Sequence, residues 1–546
     1  MSDFPPHALD DLSNTELKDL VVTLLGEVAE LKQIVAEQNQ VIAEQKQTIA
    51  NLRDEVARLK GVNGRPDIKP SKPSGMNQAS EKKARKNGNK SCGRGKKKPP
   101  RHGSMKDRIV KADVPEGSRF KGYEDFLVQD LIIQPVTTRF RRERWLTPDG
   151  KTVVAPLPQG LKGHFGAELR RFVLMQYHQG QVTVGRLVKL LSEIGIDISE
   201  RQVMRFLNEG HEHFALEARA ILQTGLDAAS WVTVDDTGAR HKAQNGYCTQ
   251  IGNDRFSFFS TTGSKSRINF LELLRAGHED YVINADALAY MQQRSLNAPV
   301  RQLLIDAEDK YFPNCADWQA HLDRLGITAL KVTPDPTRLA TEGALWGSIS
   351  AHGLLTDTVI VSDDAKQFKV GDHALCWIHA ERLVHKLNTF TDKHYAIQQR
   401  TRRLIWLYYE CLKTYRLNPS PQRKAVLQNR FDQIFRHRTG FAALDNLLRR
   451  LHANKAELLM VLEHPEIPLH TNGSENDIRV VVVKRKISGG TRSDIGRTNR
   501  DTFLSLLKTC NKLGISFWDY LGDRLGLNGK PVPALPQLVG QSHFAS

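Results

Sequence analysis

Apolar residues recur every three or four positions over the first sixty residues, and the repeat is a heptad. With Val21, Val28, Val35, Ile42, Ile49 and Val56 at position a, position d holds Leu17, Leu24, Leu31, Gln38, Gln45, Leu52 and Leu59. β-Branched residues at a with leucine at d favour a parallel two-stranded coiled coil, so residues 12–60 are expected to make a homodimer. Gln38 and Gln45 interrupt the seam with polar groups that set register at some cost in stability. The pattern then stops. Residues 61–112 mix Pro, Ser, Gly and Asn with Lys and Arg, the composition of a disordered linker.

Short β-like runs appear at 124–157, split by Pro148-Asp149-Gly150, and predict a small β module over 113–160. Phe140, Arg141, Arg142, Arg144 and Trp145 interleave there, which suits either a nucleic-acid groove or an exposed strand face. From Gly163 the spacing turns helical. Helices are expected over about 165–179 and 183–194, with a third from Ser199, where Ser199 and Gln202 have capping-box spacing. The segment 161–225 has the proportions of a helix-turn-helix DNA-binding domain, with Arg201, Gln202 and Arg205 on the exposed part of its second helix. A plain helical hairpin fits the same pattern.

β-Runs return with "WVTVDD" from Trp231, "GYCTQIG" and "FSFFSTT". Thr237-Gly238 is turn chemistry, so the first run reads as a short strand ending on Asp235 and Asp236. A helix near 267–276, mixed sequence to 355 and a strand "TVIVSDD" at 358–364 follow. Residues 380–463 read as almost wholly helical, and the last helices are expected near 474–486 and 499–525. The β-branched run Val480–Val483 favours a strand locally; if the segment is helical instead, Glu475, Arg479, Val482 and Lys486 share one face. The whole fits a multidomain chain whose α/β core (226–375 and 467–530) carries a large helical insertion (376–466) and a tail at 531–546.

Charge changes the picture. Of a net +17, the tract 61–112 supplies most: sixteen Lys and Arg stand there against Asp67, Glu81 and Asp107. A polyanion partner such as double-stranded DNA is implied. Six cysteines stand without a C-x-x-C pair, as expected for free thiols in a reducing cytoplasm. The acidic start has no apolar core for a signal peptide, and no apolar run is long enough for a membrane span.

The paired acids recur. "VIVSDD" at 359–364 repeats the β-branched run ending in two aspartates, and Glu475 follows a Thr-Asn-Gly-Ser turn at a probable helix start. Phosphodiester chemistry needs a positioned nucleophile and positive charge on its transition state; two Mg²⁺ ions held by carboxylates provide both. Asp306 and Asp309 in "LLIDAEDKY" also follow an apolar run and rival Asp363. His373, Cys376, His379 and His385 form a metal-like spacing that a buried core equally explains.

The segments "VDDTGAR…GYCTQIG", "VSDDAKQF…ALCWIHAERLVHKL" and "TNGSENDIRVVVVKRKISGG…TFLSLLKTCNKLGISFWDYL" resemble the three acidic motifs of the insertion-sequence-66 family of bacterial transposases. The resemblance runs from about 160 to 525 and extends to the coiled-coil and basic N-terminus. It implies a ribonuclease-H-like core with a DDE triad of Asp235, Asp363 and Glu475, two Mg²⁺ ions (or Mn²⁺) as cofactors, and Asp236 and Asp364 as neighbours. It also implies nicking at the element's ends, attack of the freed 3′-hydroxyl on target DNA, and accessory transposition proteins as possible partners of a nucleoid-associated enzyme. Arg479, Lys484, Arg485, Lys486, Arg492 and Arg497 would then lie along phosphates. This chain departs from the family pattern at Asp236, Asp364-Ala365 and Asn476, and it has no cysteine between 92 and 248 for the zinc segment many members carry. Two other functions fit the same residues: a non-catalytic coiled-coil and helix-turn-helix regulator, and a nuclease that cuts without joining.

Overall fold

The computed structural model describes residues 107–128, 130–158, 163–527 and 529–541, together with positions 22, 25–30, 33, 35 and 38. Those N-terminal positions are helical and exposed. The rest of the heptad repeat, its dimer seam and the linker to residue 106 lie outside the described residues.

After the linker, β1 (Arg144–Leu146) and β2 (Thr152–Val154) pair antiparallel across the expected Pro-Asp-Gly turn. Thr147 closes that turn, its main-chain N–H donating to the Lys151 carbonyl at 2.9 Å. The described residues of the β-like run 126–136 form no strand, and no strand among the described residues takes up their main-chain groups. Helices follow at Ala167–His178, Val184–Glu193, Glu200–Asn208 and Glu212–Ala228. Ser199 caps the third, its hydroxyl accepting from the Gln202 N–H at 3.3 Å. Leu187, Leu191, Val203 and Leu207 are buried between these helices. The group does not stand apart from the sheet: Phe214 packs on Phe503 at 4.9 Å, and Asn499 Nδ2 donates to the Leu207 carbonyl at 3.1 Å.

The central sheet is mixed. β3 (Trp231–His241), β4 (Gln244–Gly252) and β5 (Ser257–Thr262) run antiparallel as consecutive neighbours. A two-stranded outlier, β6 (Tyr281–Val282) with β7 (Tyr311–Phe312), precedes β8 (Val359–Ser362) and β9 (His373–Leu375). β8 joins β3 parallel and β9 joins β8 parallel, giving the order β5-β4-β3-β8-β9. Thr237-Gly238 is not the turn its composition suggested. β3 continues through it to His241, and the hairpin turns at Lys242-Ala243, both with positive φ (49° and 62°). Nine residues of ladder with β4 outweigh a local turn preference, and the left-handed turn matches the twist of the strands without glycine.

Between β5 and β8 the expected helix is present at Arg267–Leu274, and the stretch expected to be mixed is mostly helix: Ala285–Gln293, Ala298–Asp306, Cys315–Arg324 and Pro336–Ala351. Three of these are nine or ten residues long, and Pro336–Ala351 is buried around most of its circumference, so no one-sided apolar stripe marks it. Side chains of Asn284, Asn314 and Asp335 cap three of them. Beyond β9, helices Trp377–His385, Asp392–Leu417, Pro421–Phe435 and Ala442–Ala453 enclose a second apolar core. Trp377 sits at its centre, fully buried, with Nε1 donating to the Leu458 carbonyl at 2.9 Å. The chain returns to the sheet as Asn472–Ser488, then closes the fold with Asp494–Lys512 and Phe517–Arg524. Val480–Val483 is helical despite its β-branched side chains, because Ile478 and Val481 bury against Ala239, Cys248 and Phe259 of the sheet. No helix among the described residues is long and apolar enough to cross a membrane.

Candidate active site

Register places the first two acids. In the parallel β3–β8 pair Thr233 lies opposite Val361, so Asp235 stands two residues further along β3 and Asp363 the same distance on, just past the end of β8. They share a face, on strands about 4.8 Å apart. The acids do not mark the end of β3; they mark where its parallel neighbour ends, since β8 stops at Ser362. Asp363 Oδ1 accepts from the Ala365 N–H at 3.0 Å, which fixes the loop there. Glu475 comes to the same face in the first turn of Asn472–Ser488. That helix is pinned by a buried hydroxyl chain: Ser474 Oγ donates to Thr233 Oγ1 at 2.5 Å, and Thr233 Oγ1 donates to the Gly252 carbonyl at 3.1 Å.

The proximity has an electrostatic consequence. Asp235 is pushed up to about 7, first by burial and then by the charges of Asp363, Glu475 and Asp236, against the hydrogen bond from the Asp236 N–H. The two neighbouring aspartates are engaged elsewhere. Asp236 points to the opposite face, paired with Lys265 and accepting from Gln367 Nε2 at 2.8 Å. Asp364 is paired with Arg450. One buried oxygen of Glu475 accepts no hydrogen bond, although His379 Nε2 stands 3.5 Å from it and Arg382 3.7 Å. Burial alone would lower His379; its hydrogen bond with Cys376 and the charge of Glu475 outweigh that and hold it raised. Three carboxylates, with one disfavoured as an anion and another under-satisfied, form a donor set that a hard divalent cation fits. Ser474→Ala removes the link between the acid helix and β3. It is expected to lower stability by about 1–2 kcal/mol in chemical denaturation and to weaken any Glu475-dependent activity about 10–100-fold.

Other expected residues fall less simply. Arg479, Lys486 and Arg492 are exposed, and Arg497 is ion-paired with Asp494 at 3.4 Å. Lys484 and Arg485 turn inward: Lys484 donates to the Tyr177 carbonyl at 3.2 Å and Arg485 donates to that of Gly238. Arg201 and Arg205 are exposed, Arg205 lying 3.9 Å from Glu209, while Gln202 is partly buried. Asp306 and Asp309 do not reach β8; they flank a helix end, bonded to Gln302 and Arg324 respectively. His373 bonds Ser362 and Glu457 while Cys376 pairs with His379, so that cluster is divided between separate contacts. Among the described residues, a compact trio that could surround one ion is His278, Asp280 and His352, with ligand atoms within 4.8 Å of one another. Asp235, Asp363 and Glu475 do not form such a compact group among the described residues. His379, Arg382, Lys265 and Gln367 were legible only as residue types. Their places beside the acids depend on packing between segments up to 131 positions apart, as with Asp236 and Gln367.

A family model described as "Transposase IS66 family" matches residues 349–499, a span that includes Asp363 and Glu475 but not Asp235. The chain is also 49% identical over 319 residues to "Uncharacterized protein y4jO" of Sinorhizobium fredii (strain NBRC 101917 / NGR234), covering 58% of this chain and 99% of that protein. The chain belongs to the IS66 transposase family. Membership of a transposase family makes DNA its partner. All five cysteines among the described residues are free thiols, as the sequence led one to expect.

Proposed function

We propose that the chain is a DDE transposase that cleaves DNA at the ends of an insertion sequence and joins the freed 3′-hydroxyl to target DNA, with Asp235, Asp363 and Glu475 holding two divalent cations. The observation that carries this reading is the strand register that sets Asp235 beside Asp363, with the charges of both Asp363 and Glu475 acting on Asp235. The mixed sheet, three antiparallel strands continuing into two parallel ones, supports a ribonuclease-H-like core. When bound, Mg²⁺ or Mn²⁺ supplies Lewis acidity and a nucleophilic oxygen at neutral pH.

The chain's own residues have distinct tasks. Asp235 and Asp363 are fixed by the sheet, so their separation is pre-organised before any ion arrives. Ser474 and Thr233 hold the first turn of the acid helix, and His379 and Arg382 orient Glu475. Asp236, bound to Lys265 and Gln367, ties β3 to the loop after Asp363 and keeps the two strand ends in step. Exposed Arg479 and Lys486 on the helix, and Arg492 just beyond its end, face solvent, where duplex phosphates would lie. The coiled coil of 12–60 would bring two such sites together on paired ends, and the basic tract of 61–112 would supply sequence-independent affinity.

The test is cleavage and strand transfer by the full chain on linear DNA carrying the element's ends, with and without Mg²⁺. Metal-dependent nicks with joined products are expected. Nicks without joined products would reduce the protein to a nuclease, and metal-independent binding alone would reduce it to a regulator. Binding should also fall about 10³–10⁵-fold between 50 and 200 mM salt if six to ten phosphates are neutralised. Deleting residues 61–112 should flatten that slope in a gel-shift titration.

A further inference from the structure

Beyond the acids, the last turns of Asn472–Ser488 and the far half of β3 bound a small open cleft. Tyr177, Arg240, Lys484, Arg485 and Arg500 line it, and the Gly489-Gly490 bend forms its rim. The bend is built for close approach. Gly489 has a φ of 76°, and a Cβ on Gly490 would stand 2.4 Å from the Arg240 carbonyl. Thr491 completes it with a bridge to β3, its N–H donating to the Arg240 carbonyl at 3.0 Å.

The charges in this cleft are not balanced. Arg240 donates to the Ala243 carbonyl at 3.0 Å, Lys484 to that of Tyr177 and Arg485 to that of Gly238. Carbonyl oxygens satisfy hydrogen-bond donors but do not neutralise their charge. Arg500 brings its own counter-ion, Asp501, at 2.7 Å. The nearby Asp494 is already shared by His241, Lys242 and Arg497. Among the described residues no carboxylate pairs with Lys484, Arg485 or Arg240; the first two are half-buried against the cleft, and Arg240 is exposed at its edge. Lys484 is held closely, its Nζ 3.9 Å over the Tyr177 ring, and burial lowers it to about 8. A helix C-terminus favours cations in its last turn, which accounts for Arg485 but not for Lys484, which precedes that turn, nor for Arg240, which comes from the sheet.

We propose that this cleft is a socket for one backbone phosphate of the bound DNA strand, and that it sets which phosphodiester lies over the acids. A phosphodiester carries the missing charge and offers the oxygens that guanidinium and ammonium groups recognise. Lys484 is nine residues beyond Glu475, about 13 Å along the helix. At about 3.4 Å per nucleotide in a stacked strand, and about twice that in an extended one, the seated phosphate is two to four nucleotides from the cut. The proposal rests on the transposase reading for its substrate, but its test does not require cleavage.

The test is a set of end-DNA duplexes in which one phosphodiester at a time is replaced by a neutral methylphosphonate. Binding of each is compared between the full chain and the Arg240→Gln/Lys484→Met variant, whose apolar Met keeps the stem of Lys484. One linkage should cost the unmodified chain about tenfold in affinity and the variant little, while other linkages cost both alike. Where cleavage is seen, that linkage should lie two to four nucleotides from the cut, and the variant should cut at scattered positions. The socket is overturned if every linkage costs the two proteins equally, or if no linkage in that window affects the unmodified chain; the second outcome needs no variant to fold. Inorganic phosphate at matched ionic strength should leave both melting temperatures unchanged. Stabilisation of the unmodified chain alone, with no linkage-specific loss, would assign the cleft to a free anion. Absence of cleavage with the linkage effect intact would remove the catalytic reading and leave the socket.

Discussion

Asp235→Asn, Asp363→Asn and Glu475→Gln should each lower strand cleavage by about 10³-fold or more, with affinity for end DNA within about twofold of the unmodified chain. The magnitude follows from the several kcal/mol of transition-state charge stabilisation that a bound cation supplies, at 1.36 kcal/mol per tenfold in rate. Each amide is nearly isosteric with the acid it replaces, so the sheet and the acid helix keep their packing. The neighbours provide the contrast. Asp236→Asn and Asp364→Asn remove ion pairs with Lys265 and Arg450, and neither residue stands on the shared face. Their effect on cleavage should be at most about 10–100-fold, as for a group that supports a ligand without being one. Single-turnover cleavage and gel-shift measurements on the same DNA separate the two classes. Full cleavage by any of the first three variants would remove that residue from the triad.

In metal-free buffer the same Asp235→Asn substitution should stabilise the protein. Asp235 is raised from 3.8 to about 7 by burial and by three neighbouring acids. Below 3.8 the side chain is protonated in both the folded and unfolded chain, so it contributes no difference. Between 3.8 and 7 the unfolded chain releases the proton while the folded chain keeps it, so stability falls as pH rises. Above about 7 the whole penalty is present, at most about 4 kcal/mol and less where solvent reaches the half-buried side chain. At pH 8 with EDTA, the variant should therefore melt on the order of 5 °C higher than the unmodified chain, and at pH 4 the two should coincide. A divalent cation reverses the comparison, because ionised carboxylates bind it and protons compete. Mg²⁺ or Mn²⁺ should raise the melting temperature of the unmodified chain at pH 8, less at pH 6, and hardly at all in the variant. A metal-free variant no more stable than its parent at pH 8 would mean that the acids do not converge in solution.

Much of the local structure was legible along the chain. The helices at 167–178, 184–193 and 200–208, the turn at Pro148-Asp149-Gly150 and β8 all carry their own periodicity, cap or turn residues. Thr237-Gly238 misled, because a long ladder outweighed a local turn preference; at Val480–Val483 the expected helix formed, its buried face outweighing a β preference worth well under about 1 kcal/mol per residue. Between β5 and β8 the helix at 267–274 was legible, but those from 285 to 351 were not: three are only nine or ten residues long, and Pro336–Ala351 is buried around most of its circumference, so it shows no one-sided apolar stripe.

The repetition of β-branched runs ending in paired aspartates, and a glutamate at a probable helix start, were properties of the sequence alone. They named the candidate acids because residue type and spacing are written in the chain. Which aspartate of each pair faces the site was decided by the β3–β8 register, where a shift of one residue would have presented Asp236 instead of Asp235. The places of His379 and Arg382 beside Glu475, and of Arg240 opposite Lys484, were likewise decided only in three dimensions. They come from elements packed face to face across the sheet, and no local pattern records which distant segment will supply the opposing charge.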